Sequence, residues 1–240
     1  MVKMIGVEFL KYKRTIIPWA ILCSALATSL LGIFMASGGG RVGLTGSMIY
    51  GLGWLNMLSI FLLSLLTGMV FSGEYSQGTA RVMFTYPIAR WKLFITKFVV
   101  LFCWTLILYV LYLVFSIVAG LALGAPAPTS TEIVQAVRLV LVMPFLNYTL
   151  VTITALISIR TRWYGSFTLA AAAYIILYTS LIRSNLRFFL PMTIPNVIKD
   201  YFLGSVTIAT ADWVCMIVSL CVIFAITTYA GLVNYQKRDI

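Results

Sequence analysis

The 240-residue chain has no histidine, four cysteines and six carboxylates, and that inventory limits its chemistry at once. Without histidine it cannot build a Ser-His hydrolase, an HExxH metalloprotease, a His-ligated haem or a histidine proton relay. Cys23, Cys103, Cys215 and Cys221 all fall in long apolar runs and form no CxxC pair. They read as small apolar packing residues rather than disulfides or thiolate metal ligands. Glu132 and Asp212 sit at the edges of apolar runs, and Glu8, Glu74 and Asp239 lie outside them. None is at mid-run, where an ion-coupled transporter carries an ionisable group. No GxxxxGK[ST] occurs, so P-loop ATP hydrolysis is excluded, and no catalytic residue, metal ligand or cofactor is assigned to the chain itself.

Polar groups that do fall within apolar runs are Asn56, and Asn147 with Tyr148, Thr149, Thr152 and Thr154. Two readings stand. Such residues act as interhelical glue, at about 0.6 kcal/mol per hydrogen bond, or they line a translocation surface. On the second reading Asn56, Asn147, Tyr148, Tyr174 and Tyr178 line the path. Pro144 can kink its helix and free carbonyls nearby. The four alanines within Thr168 to Tyr174, and Gly120 with Gly124, read as close helix contacts.

The elements that must position these groups follow from composition. Hydrophobic residues make up 62% and charged residues 10%, too much apolar surface for a soluble domain of this length. The expected fold is all-α and integral to the membrane, a single domain over 1–240 with six spans at about 16–36, 49–71, 94–123, 133–158, 164–182 and 211–233. The runs are continuous and rich in Leu, Ala, Ile and Val, which favours helices over a β-barrel. The third run exceeds one bilayer thickness and can tilt, project, or break near Gly120 and Gly124.

Orientation follows from the basic residues. Lys3, Lys11, Lys13, Arg14, Arg81, Arg90, Lys92, Lys97, Arg160, Arg162, Lys237 and Arg238 fall on one side of such a six-span chain. Arg41, Arg138, Arg183, Arg187 and Lys199 fall on the other. The richer side is expected to be cytoplasmic and to hold both termini. The net charge of +11 is then mostly topology. Dispersed over several loops, it does not read as a nucleic-acid surface, and no such partner is expected.

Three connecting stretches need separate readings. MVKMIGVEFLKYKRT, residues 1–15, is either an amphipathic helix in the headgroup region or a charged anchor for the first span, and not a signal peptide. Residues 182–211 hold Leu186, Phe188, Phe189, Leu190 and Met192, punctuated by Pro191 and Pro195. A re-entrant or interfacial hairpin is expected there, between spans five and six. The glycine-rich stretch before the second span shows no phosphate-cradling frame.

The most organised polar stretch is EYSQGTARVMFTYPIARWKLFITK, Glu74 to Lys97. Ser72 or Gly73 can end the second span, and Tyr75 to Tyr86 suits a short helix on the membrane face. Val82 and Met83 would grip while Gln77, Thr79 and Arg81 stay wet. Pro87 would end that helix, and Arg90, Trp91 and Lys92 would anchor the third span at the interface.

The pattern E74-(x)3-GT-(x)7-PI-x-R, followed by Lys97, resembles the cytoplasmic signature of ABC-2 type transporter permeases. Ala89 stands where Ser is frequent in that signature, and Met83-Phe84 where Leu-Leu is common. EFLKYKRT, Glu8 to Thr15, resembles the start of permeases from lantibiotic-immunity, bacitracin-resistance and peptide-toxin exporters.

The resemblance implies a half-transporter of the bacterial cell membrane, embedded in lipid, which pairs with a second copy or a sister permease. Each would carry a separate ATP-binding subunit that holds ATP and Mg2+. It implies a coupling helix between spans two and three, whose contact residues would be Glu74, Gly78, Thr79, Arg81, Val82, Met83, Tyr86, Pro87 and Arg90. Arg160 and Arg162 would supply a second contact, and the N-terminal segment would be a connecting helix. The cargo would be a hydrophobic or amphipathic molecule, foremost an antimicrobial peptide or peptide toxin. Lipid, drug or ion export, or a scaffold or sensor subunit without a transport path, are the alternatives.

Overall fold

The computed structural model describes residues 2–13, 15–38, 44–76, 89–122, 129–161, 166–181, 184–202 and 204–236. Its elements are α1 (Val2–Lys13), α2 (Ile17–Gly38), α3 (Leu44–Ser76), α4 (Arg90–Ala122), α5 (Ser130–Thr161), α6 (Ser166–Leu181), a 3-10 turn (Asn185–Phe188), α7 (Ile194–Phe202) and α8 (Thr210–Gln236). The described regular structure is all-α, and five helices are long and apolar enough to cross a membrane: Ile17–Ala36, Gly46–Gly73, Arg90–Ala122, Ser130–Thr161 and Thr210–Gln236. The chain is a multi-pass membrane protein. Of the span expected at 164–182, the described residues form α6, whose 16 residues are fewer than the ~20 that a hydrocarbon core needs.

Helix ends depart from the apolar runs because a helix can continue into water. Neither Ser72 nor Gly73 stops α3, which runs to Ser76 and takes in Glu74 and Tyr75. Gly120 lies inside α4, and Pro144 inside α5. At the other end of the sequence, Thr15 turns α1 into α2. Its backbone N–H and hydroxyl both donate to the Tyr12 carbonyl, at 3.1 and 2.7 Å.

Helix α3 is the most buried span and packs against α2, α4, α5, α6 and α7. Small and hydroxyl residues make that possible. Ser59 and Thr67 return their hydroxyls to carbonyls of α3 itself, at 2.8 and 2.6 Å, so they pack without an unmet donor. At the α2–α3 crossing a Cβ on Gly32 would come within 2.5 Å of the Ser47 carbonyl oxygen, and one on Gly51 within 2.8 Å of the Thr28 carbonyl oxygen. Only glycine admits such an approach of two backbones.

Large apolar side chains such as Trp19, Phe34, Phe145, Ile176, Ile226 and Tyr229 point outward, as a lipid-facing surface requires. The cysteines correct the sequence reading: Cys23 and Cys221 are exposed, and Cys103 and Cys215 half-buried, so none is a core packing residue. A thiol is apolar enough to face acyl chains. Between α6 and α8 the chain folds back. Ile194 to Ile198 of α7 are buried against α3 and α5, while Leu186 and Phe189 stay exposed. Gly204, at φ +70°, closes α7 in a conformation that favours glycine.

Candidate functional site: a clamp at the basic end

Helix α1 has two faces. Met4, Ile5, Phe9 and Tyr12 pack on the core, while Lys3, Val7, Leu10, Lys11 and Lys13 face outward. Phe9 stacks on Trp104 of α4 with centroids 4.6 Å apart and planes 5° from parallel. That contact presses Glu8, only 4% exposed, into the bundle.

Glu8 meets Lys97 there. The lysine is 1% exposed, and its Nζ lies 3.8 Å from Glu8 Oε1, donates to the Val70 carbonyl at 2.9 Å and sits 5.6 Å from the Phe71 ring centroid. Lys11 adds a second ammonium 3.2 Å from the same carboxylate oxygen. A charge withdrawn from water costs several kcal/mol unless paired and hydrogen-bonded; α1, α3 and α4 together supply partners to Lys97 and to Glu8 Oε1, while Glu8 Oε2 is buried without a hydrogen bond among the described residues.

Beside it, Arg90 Nη1 donates to the Gln236 carbonyl at 2.8 Å. The last carbonyls of a helix lack intrahelical donors and carry the negative end of its dipole, so a guanidinium is a fitting cap. Phe71, Phe94 and Tyr235 fill the space between, with centroids 5.7 to 6.3 Å apart. Gly231 lets Phe94 lie against α8. Thus α1, α3, α4 and α8 are fastened together at the point where the chain leaves α3 and returns as α4.

Of the residues proposed from the sequence for coupling, Glu74 is in the last turn of α3, Arg90 opens α4, and Arg160 is exposed in the last turn of α5. Gly78, Thr79, Arg81, Val82, Met83, Tyr86, Pro87 and Arg162, and the Glu74 side chain, lie outside the described residues. So does the short helix expected up to Tyr86, except for Tyr75 and Ser76.

The mid-span candidates fall into separate places. Asn56 and Asn147 are buried in the interior and joined through Tyr109. Asn147 Nδ2 donates to Tyr109 Oη at 2.8 Å, Tyr109 Oη to Asn56 Oδ1 at 2.9 Å, Asn56 Nδ2 to Asn196 Oδ1 at 3.5 Å, and Asn196 Nδ2 to Tyr178 Oη at 2.8 Å. Every donor points the same way along a chain through α5, α4, α3, α7 and α6, an order in which each bond polarises the next. Tyr174 stands apart, buried, with its hydroxyl 3.5 Å from Thr154 Oγ1. Tyr148 is on another side of the bundle, half-buried, and donates to the Phe98 carbonyl at 2.6 Å.

Sequence reasoning did not find Tyr109 and Asn196 in this relay, nor the pairing of Glu8 with Lys97. Tyr109 had a signal, a phenol in the apolar run TLILYVLYLV, because a buried hydroxyl needs a partner. Among the described residues no group of three or more His, Cys, Asp or Glu could hold a metal ion.

Residues 4–180, about three quarters of the chain, match the family profile described as "ABC-2 family transporter protein". No curated protein matches the chain.

Proposed function

The chain belongs to the ABC-2 transporter family, whose members are non-catalytic permease components that typically pair with an ATP-binding subunit, and on that premise we propose an export role for it. It is the membrane half of an ATP-driven exporter of the bacterial cell membrane. Its basic end faces the cytoplasm, its partner is a dimeric ATP-binding subunit, and a second permease copy or sister permease completes the pathway. Helix α6 serves as the fifth of six spans, and the α7 hairpin after it lies on the outer side. The cargo is hydrophobic or amphipathic, foremost an antimicrobial peptide or peptide toxin.

The observation that carries the reading is the Lys97–Glu8 contact at 3.8 Å, which unites the two stretches resembling permease signatures. A lever needs a fixed end. Residues 77–88 connect α3 to α4 in the sequence, and Glu8, Lys97 and Arg90 tie those helices to α1 and α8. Force applied to that segment by an ATP-binding subunit would reach four helices rather than one loop. Glu74, Gly78, Thr79, Arg81, Val82, Met83, Tyr86 and Pro87 form the docking surface in this reading. Arg90 fixes its base, and Arg160 and Arg162 flank it.

The test is co-purification with any ATP-binding subunit encoded beside it, followed by ATPase measurements in vesicles with and without amphipathic peptide. A stable complex with peptide-stimulated hydrolysis is expected. Failure to assemble with any such subunit would overturn the reading, and stimulation by lipid or drug instead of peptide would replace the cargo.

A further inference from the structure

We propose that the outward face of α1 docks on an anionic lipid leaflet at the basic end, with Lys3, Lys11 and Lys13 at lipid phosphates and Val7 and Leu10 among the upper acyl chains. The charges of α1 are sorted by face. Its one carboxylate, Glu8, is turned inward, whereas Lys3, Lys11 and Lys13 are all exposed on the opposite side. At about 100° per residue, Lys11 and Lys13 fall on the two margins of that side, about 160° apart, and Val7 and Leu10 project between them. Those two apolar side chains are 60% and 61% exposed, and all four residues line one hollow. Apolar side chains flanked by lysines suit a helix that sinks into a bilayer surface, where the lysine stems lie along acyl chains and the ammonium groups reach back to phosphates.

Two lengths set this face against lipid rather than water. Helix α2 has 22 residues, about 33 Å, little more than a ~30 Å hydrocarbon core, so its first turn lies at the hydrocarbon boundary. Helix α1 ends four residues earlier, joined through the Thr15 turn, and therefore lies at headgroup level. Trp19, exposed in that first turn of α2, stands where interfacial tryptophans do. Along α4, Phe9 stacks on Trp104, which is 14 residues or about 21 Å beyond Arg90. Helix α1 thus rests on the flank of α4 and not beneath its end, and the face turned away from that flank opens sideways into the leaflet. The charge of the face selects the lipid. Lys11 is shared with Glu8 at 3.2 Å, but Lys3 and Lys13 pair with no carboxylate among the described residues, and an anionic surface attracts each of them.

The experiment uses the full chain in phosphatidylcholine vesicles containing a trace of phosphatidylglycerol with a photoreactive group near the top of one acyl chain, with adducts mapped by peptide mass spectrometry. Adducts are expected within residues 3–13. Unlabelled phosphatidylglycerol should suppress them at least about fivefold more effectively than phosphatidylcholine, the factor set by one basic residue at an anionic surface. Replacing Lys3, Lys11 and Lys13 together by Gln should abolish that preference, whereas Lys92→Gln, at an exposed lysine elsewhere on the same end, should leave it intact. Leu10→Ser should weaken labelling of α1 and keep the preference. Adducts on the outward faces of α2 and α8 with none in α1 would place the face in water, and equal competition by the two lipids would make it indifferent to charge. Loss of the α1 adducts on assembly with an ATP-binding subunit would give the face to that protein. Each of these results would overturn the proposal. The vesicle measurements require neither an ATP-binding subunit nor cargo, so their failure leaves the transport reading standing.

Discussion

Arg90 and Gln236 meet side chain to carbonyl at 2.8 Å, joining the first residue of α4 to the last described residue of α8. The signature arginine is therefore already committed within its own chain, to a helix whose main packing is against α5. Arg90→Gln should cost about 1 kcal/mol, the range for an exposed charge-assisted hydrogen bond at a helix C-terminus. Faster hydrogen exchange confined to the last two turns of α8 would register it. Exchange that quickens throughout the bundle would contradict this local role.

Glu8 and Lys97 should respond asymmetrically to substitution. Glu8→Ala leaves an ammonium buried with the Val70 carbonyl as its hydrogen-bond acceptor, and should lower stability by about 3 kcal/mol or more. Lys97→Met removes the buried cation and leaves Glu8 beside Lys11, so it should cost less. The double variant Glu8→Gln/Lys97→Met should be at least as stable as Glu8→Ala alone. Detergent-solubilised melting curves would test the order, and peptide-stimulated ATPase of the double variant would report whether the clamp transmits force. Full coupling in a stable double variant would remove the mechanical role.

Tyr109→Phe interrupts the relay at its centre, leaving Asn147 Nδ2 with the Met143 carbonyl at 3.1 Å and only a long 3.4 Å contact to Asn56 Oδ1. The expected loss is about 1 kcal/mol, because side-chain hydrogen bonds inside membrane bundles are individually modest. Asn56→Leu in the Tyr109→Phe background should then cost less than in the parent, since the two residues act as a unit. Additive losses in that cycle would show that the relay is a set of independent pairs.

Gly78→Pro should leave assembly with the ATP-binding subunit and the melting temperature unchanged, yet uncouple hydrolysis from transport. Export by the variant in reconstituted vesicles at the parent rate would rule out a coupling function for this segment.

How far the fold was legible depended on what each feature needs. The five long spans could be read because length and apolarity are required of any membrane helix, and Ile17 to Ala36 or Thr210 to Gln236 advertise both. The end of α3 could not, since Gly73 to Ser76 stay helical without apolarity to mark them. Cys23 and Cys221 misled because a bilayer is as apolar as a core, so residue type does not separate inside from outside. Asn56 and Asn147 could be singled out as mid-span polar groups, but at Asn196 the helical spacing of Ile194, Val197 and Ile198 marks a buried apolar face without saying that an asparagine goes inward with it. Glu8 and Lys97 were both visible within motifs, yet nothing local says that an N-terminal carboxylate reaches the base of α4.

The crossing of Gly32 and Gly51 has a further meaning for movement. Two backbones in direct contact cannot roll over one another, since there are no side chains to re-pack and a shift of an ångström closes on Ser47 and Thr28. The α2–α3 pair is accordingly a strut that travels as one body. Whatever rearrangement opens this bundle must be absorbed on the opposite flank, where α8 is held to α5 by hydroxyls such as Thr152 and Thr227, 2.7 Å apart, contacts that can break and re-form at little expense.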